Sequence, residues 1–347
     1  MKKIFLFAIL VLAIMDPAFA QEKSAPRLSG LMFGDYFYNI DQKDSSKKDL
    51  NGFQFRRIYI TTDYTVSESF DARFRLEADQ SASSLTSGGK LGVMVKDAYL
   101  KWKNIFSGSD LYFGISPNPE IETSESFWGY RALEKTITDL NGAVSSRDFG
   151  VDLRGKFDEA GVVRYWVKIG NNSGNAPEAN KYKRFYGFLQ FVPLSFFQFS
   201  VYGDYASYAP KTDALSKELK KNNALTAALM MNFFQKDVYS TGIEAFYKTQ
   251  QNNFAPTVSS PLESQNGYGI SAYAWMKLAG KIRLVARYDR YVPNKDLDRS
   301  DRTDLILGAI DFQVDKNVSL MPNMESVSYS GLKAKDLVGR VTFSYQF

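Results

Sequence analysis

The sequence predicts an all-β fold: a transmembrane antiparallel β-barrel of about sixteen strands, with short turns at one rim and long loops at the other. Three observations predict it. Segments that alternate apolar and charged residues recur along the chain. The linkers between them alternate between short and long. The last residues, Val341-Thr342-Phe343-Ser344-Tyr345-Gln346-Phe347, form a two-faced strand that ends on an aromatic. A strand with one oily and one polar face suits a sheet with lipid outside and water inside.

The first element is a leader. Lys2 and Lys3 precede an apolar run over 4–14, and Ala18-Phe19-Ala20 forms a small-x-small cleavage site before Gln21. This is the pattern of a cleaved secretory signal, and the run is shorter than the ~20 apolar residues that a spanning helix needs. The expected division is therefore 1–20 as signal peptide and 21–347 as barrel. Beyond residue 20 no apolar stretch approaches ~18 residues, so membrane crossing is left to strands closed on themselves.

Sixteen strands are expected near 27–40, 52–65, 69–79, 92–103, 109–116, 147–158, 161–171, 182–192, 196–207, 222–235, 237–249, 266–278, 280–291, 302–313, 317–327 and 337–347. The alternation is clear where Phe70, Ala72, Phe74, Leu76 and Ala78 interleave with Asp71, Arg73, Arg75, Glu77 and Asp79. It is equally clear where Val163, Tyr165, Val167 and Ile169 interleave with Arg164, Trp166 and Lys168. Short linkers such as Ser67-Glu68 and Asp315-Lys316-Asn317 alternate with long polar ones at 41–51, 80–91, 117–146, 172–181, 208–221, 250–265, 292–301 and 328–336. This rhythm places both chain ends at the short-turn rim, which would be periplasmic, with the long loops extracellular. Aromatic residues make up 15% of the chain, enough to furnish girdles at two membrane interfaces.

About sixteen strands leave room for water, whereas about eight would be filled by side chains. The polar parity of the strands places Arg73, Arg75, Lys101, Lys103, Arg154, Arg164, Lys168, Arg283, Arg287 and Arg340 on the inner wall. Acids of the same parity include Asp71, Glu77, Asp79, Asp97, Asp148, Asp152, Asp204 and Asp289. The excess of fixed positive charge is small and would favour anions weakly. Pairing across strands would instead use these charges to stiffen the wall.

The longest connection, 117–146, is the expected constriction. Pro117-Asn118-Pro119 stops strand pairing, and Leu133, Ile137 and Leu140 carry helical spacing. Its Phe127, Trp128 and Tyr130 are better used against the inner wall than in solvent, with Glu120, Glu122, Glu125, Arg131 and Lys135 beside them.

The runs Phe53-Gln54-Phe55-Arg56-Arg57, Phe70-Asp71-Ala72-Arg73-Phe74, Lys96-Asp97-Ala98-Tyr99-Leu100 and Tyr112-Phe113-Gly114-Ile115-Ser116-Pro117 occur in that order. Ser126-Phe127-Trp128-Gly129-Tyr130-Arg131 and Ser146-Arg147-Asp148-Phe149-Gly150 follow. Together they resemble the phosphate-selective porin O and P family over roughly the first half of the chain. The resemblance implies a sixteen-stranded barrel, a homotrimer of separate pores, a third loop folded inward, and diffusive uptake of anions or small hydrophilic solutes. The selective members carry a run of arginines in that loop. Here Arg131 and Lys135 stand among Glu120, Glu122, Glu125, Glu134 and Asp139, so only the general porin role carries over. Phe343, Tyr345 and Phe347 resemble the signal read by barrel-assembly machinery.

Composition excludes other classes. With no histidine the chain cannot build an imidazole-based triad or a His-ligated metal site, and with no cysteine it has neither disulfide nor thiolate ligand. Carboxylates are scattered and no acid pair stands out for hydrolysis, so no enzyme and no cofactor are expected. Without its leader the chain carries 41 basic and 37 acidic residues, a net charge of +4. That is too little, and too dispersed, for nucleic acid. The expected partners are small solutes or anions, outer-membrane lipid and the assembly machinery. Two alternatives stay open: a non-conducting adhesin or receptor acting through its long loops, and an oligosaccharide-preferring channel using Trp128, Tyr130 and Trp166.

Overall fold

The computed structural model describes residues 25–80, 90–257, 260–297, 301–332 and 335–347, so the leader at 1–20 lies outside the described residues. Sixteen strands close into a barrel in which each pairs with its sequence neighbour and the first pairs with the last. They are β1 (Arg27–Asp41), β2 (Asn51–Thr65), β3 (Phe70–Asp79), β4 (Gly92–Phe106), β5 (Ser109–Pro117), β6 (Arg147–Lys156), β7 (Val163–Gly170), β8 (Arg184–Leu194) and β9 (Phe197–Ala206). After a two-residue pair, β10 (Lys211–Thr212) and β11 (Leu219–Lys220), come β12 (Ala224–Gln235), β13 (Tyr239–Phe254), β14 (Glu263–Ala279) and β15 (Ile282–Val292). β16 (Thr303–Asp315), β17 (Val318–Tyr329) and β18 (Lys335–Gln346) complete the ring. The small β10–β11 hairpin, inside the 208–221 loop, was not expected from the alternation.

Every barrel pairing is antiparallel, and the faces separate as the parity predicts. Ile60, Leu100, Val167, Ile243, Ile306 and Val341 point outward and stay exposed. Asp97, Asp152, Ser200, Glu244, Asp289 and Thr342 point inward and are buried. Among the described residues no helix is long and apolar enough to cross a membrane.

Register shifts occur in several pairings, and two of them, in β2 and β4, break the parity at charged residues. Phe33 faces Arg57 while Gly34 faces Phe55, so Arg56 is an extra residue in β2. Arg75 faces Asp97 while Leu76 faces Val95, so Lys96 is an extra residue in β4. Each bulge turns two successive charged side chains inward, Arg56 with Arg57 and Lys96 with Asp97.

The seam is sealed by aromatics over glycine. The Phe347 amide donates to the Gly30 carbonyl (3.1 Å), and the Gly30 amide donates to that of Phe347 (3.0 Å). A Cβ on Gly30 would overlap the Phe347 ring, and one on Gly34 would overlap the Gln54 carbonyl oxygen and press on the Phe343 ring.

Candidate functional site

The third long loop, residues 118–146, folds into the barrel. It opens with α1 (Pro119–Trp128), whose start is set by Asn118: its side-chain oxygen accepts from the Glu120 amide. Pro119 is the first helical residue, Glu120 and Glu122 face the positive helix end, and Gly129 closes the helix at φ 72°. The shorter α2 (Ile137–Leu140) covers part of the segment that the Leu133/Ile137/Leu140 spacing marked as helical.

One face of the loop is apolar and docked. Ile121, Phe127, Trp128, Tyr130, Leu133 and Ile137 join a buried cluster with inward residues of β7–β9 and β12–β17. Trp128 donates its indole N–H to the Glu134 carbonyl (2.9 Å), lies against Tyr273 with ring centroids 5.4 Å apart, and has the Arg287 guanidinium 5.1 Å from its own. Tyr130 donates to Asp311 Oδ2 (3.0 Å). Deeper in, the Thr138 hydroxyl lies 2.9 Å from both Glu120 oxygens and 2.7 Å from Glu244 Oε1. One hydroxyl proton cannot serve two carboxylates at once; the Thr138 amide also donates to Glu244 Oε1 (3.1 Å), which leaves the hydroxyl to Glu120.

Burial, then the neighbouring Glu244 charge, pushes the Glu120 carboxyl well above the usual range. Its docked form therefore favours the neutral acid, and docking loses stability as pH rises from the unfolded value toward the raised one. Glu120→Gln is expected to remove this penalty. Thermal melts from pH 5 to 9 should fall with pH in the wild type and run flatter in the variant.

The other face of the loop is charged. Glu125 pairs with Arg131 (2.7 Å), which also reaches Asp139 (3.5 Å), while Glu122 is exposed. Across from it the bulged wall presents Arg56, Arg57 and Arg147; Glu122 acts on Arg147, and Asp139 on Arg57, at Coulombic range. Arg56 bridges the gap, pairing with Glu134 (2.9 Å) and donating to the Leu133 carbonyl. Burial alone would raise the Glu134 carboxyl, but Arg56, the Lys135 amide, Arg340 and Arg131 together outweigh it and hold the group at about 2. Lys135 is half-buried, and its carbonyl accepts from Arg287.

The ten basic residues expected on the inner wall are all placed there, but nine are in ion pairs. Arg73 meets Asp63 (2.6 Å), Arg75 meets Asp97 (3.2 Å), Lys101 meets Asp110 (2.8 Å) and Lys103 meets Asp71 (3.2 Å). Arg154 and Lys168 share Asp152 (2.6 and 3.2 Å), and Arg340 meets Glu325 (3.4 Å). Arg283 meets Asp237 (3.4 Å) and Arg287 meets Asp289 (2.5 Å). Arg164, at the short-turn rim, donates to the Gly161 carbonyl and has no carboxylate partner among the described residues.

Lys168 and Arg287 have almost no exposed surface. The Lys168 ammonium donates to the Ser116, Pro117 and Asp148 carbonyls at the root of the loop, so it anchors the loop instead of meeting the passage. Sequence reasoning missed Arg56, Arg57, Lys96 and Arg147. Adjacent charges in an otherwise alternating strand were the available signal, since both can turn inward only at a bulge.

Phe343, Tyr345 and Phe347 are on the outer face of β18. Phe343 meets Phe55 edge-on at 6.0 Å, and Phe347 lies tilted beside Tyr345 at 5.8 Å.

No protein-family model matches the chain, and no curated protein matches it. Solved structures do. The outer membrane channel DcaP of Acinetobacter baumannii aligns with a TM-score of 0.69 at 14% identity, over 96% of this chain and all of that one. Salmonella typhi OmpF, in a complex with daunomycin, gives 0.65 at 13% over 94% and 100%. An anion-selective porin from Comamonas acidovorans gives 0.65 at 11% over 93% and 99%. The chain has the fold of bacterial outer-membrane porins.

Proposed function

We propose that this chain is an outer-membrane porin, a passive, water-filled channel for small hydrophilic solutes and not an enzyme. The observation that carries the reading is the closed sixteen-strand barrel, oily outside and polar inside, narrowed by a docked third loop whose charged face opposes an arginine-bearing wall. The leader at 1–20 fits export to the bacterial outer membrane, and the closing strand fits recognition by barrel-assembly machinery. A homotrimer belongs to the proposal as the assembly that the family resemblance implies.

Selectivity in this reading is weak, with anions slightly ahead. Arg164 lacks a carboxylate partner among the described residues, but pairing elsewhere leaves little net field along the wall. Two cations among five carboxylates in the third loop argue against strong phosphate selectivity. In planar bilayers the purified protein is expected to open in steps. A ten-fold salt gradient should give a reversal potential of anion sign below roughly 10 mV. Silence in the bilayer would favour the receptor reading, and a clear cation sign would remove the anion preference.

A further inference from the structure

Beneath the docked loop, on the short-turn side, the barrel holds an open-sided chamber of about 460 Å³. That volume suits a small organic ligand. The chamber uses residues of β9, β12–β18 and the underside of the loop, on the side of the barrel away from the bulged, arginine-bearing wall. Neither its composition nor its charge follows from the constriction above it. The geometry points to a binding site for an uncharged polyhydroxyl solute, that is, a carbohydrate; this assignment rests on the channel reading and names the class of solute the passage would retain.

The lining is made mainly of neutral groups that both donate and accept. Gln198, Asn232, Ser240, Gln313 and Ser319 face the chamber. Gln313 and Ser319 make no side-chain hydrogen bond within the described residues, so their amide and hydroxyl are available to a solute. A sugar hydroxyl donates one hydrogen bond and accepts others, and such groups match it without a charge to neutralise.

The second observation is Asp311. It is only 2% exposed and lines the chamber, yet its Oδ1 has no partner; its Oδ2 accepts from Tyr130. A buried carboxylate oxygen left open is costly unless something donates to it. Opposite in sign, Arg283 lies 4.4 Å over the Trp275 ring, and its Nε is also unpartnered. Arg283 faces Asp311 across the strands and also meets Asp237 at the turn beside Lys236, so two acids and two bases balance around the chamber and neither ion sign is drawn in strongly. Trp275, Tyr130 and Phe127 add aromatic surface of the kind that packs on the C–H face of a sugar ring.

The test uses the full-length protein in planar bilayers with three probes: maltotriose (uncharged), γ-aminobutyrate (a zwitterion) and citrate (an anion). Maltotriose is expected to reduce the ionic current saturably. Trp275→Leu and Gln313→Ala should each weaken that block about ten-fold, the equivalent of about 1.4 kcal/mol, while the channels still open in plain salt. A reduction that only tracks solution viscosity would overturn the site. So would block that is indifferent to both variants, or saturable block by γ-aminobutyrate or citrate in place of maltotriose. If no current is seen at all, the channel reading fails separately. Calorimetric titration of maltotriose into the purified protein and its Trp275→Leu variant then decides the chamber by itself.

Discussion

Gly150→Ala is expected to abolish barrel assembly. Gly150 sits between Gly114 on β5 and Gly170 on β7, a row of three glycines at the root of the third loop. A Cβ there would overlap the Ile169 carbonyl oxygen and fall 2.8 Å from the Gly170 Cα, both backbone atoms that cannot rotate away. Overpacking a well-packed site costs roughly 1–3 kcal/mol, and a collision with backbone inside a closed sheet belongs at or above the top of that range. Gly308→Ala is the matched control, because nothing lies within 4 Å of the added methyl. Heat-modifiability on gels should show a folded band for Gly308→Ala and almost none for Gly150→Ala. Equal folded yields would refute the close strand approach.

The second large effect concerns the docked loop. Trp128 is 1% exposed and touches the wall through Tyr273 and Arg287 while holding the loop's own turn through Glu134. Truncating a buried aromatic costs about 3–5 kcal/mol, which exceeds what any one of the loop's remaining hydrogen bonds returns. Trp128→Ala should release the loop without opening the barrel, since the strand ladders do not depend on it. The expected readout is a rise in mean single-channel conductance of about two-fold with added open-channel noise, because the narrowest section sets the resistance. An unchanged, quiet conductance would mean that the loop does not set the limiting cross-section.

Much of this was legible in the sequence, for identifiable reasons. Period-two alternation fixed the faces of β3 and β7, because one side of each must meet lipid and the other must not. Phe127, Trp128 and Tyr130 forecast that the loop docks inward. The helix α1 was not forecast, although Asn118-Pro119-Glu120 and Trp128-Gly129 carry its start and stop signals. The bulges at Arg56 and Lys96 were missed because strict alternation assumes one residue per position on both partners. Ion pairing was missed for a deeper reason. Whether Arg73 finds Asp63, or Lys168 finds the loop root, depends on cross-strand register and on where a distant loop settles. Neither is written in the local pattern.

The seam has a kinetic consequence. Fifteen of the sixteen pairings join strands that follow one another in the chain, and one joins Gly30 to Phe347. The fifteen can zip progressively as hairpins, each closing only a modest stretch of chain. The last must wait for the whole polypeptide to arrive, and it closes a loop of more than three hundred residues against chain entropy. Until then both margins of the curved sheet carry unsatisfied amides and carbonyls that would recruit any extended neighbour. A catalyst that holds the margin of the final strand until the first comes round would shorten the most hazardous interval in the life of this molecule.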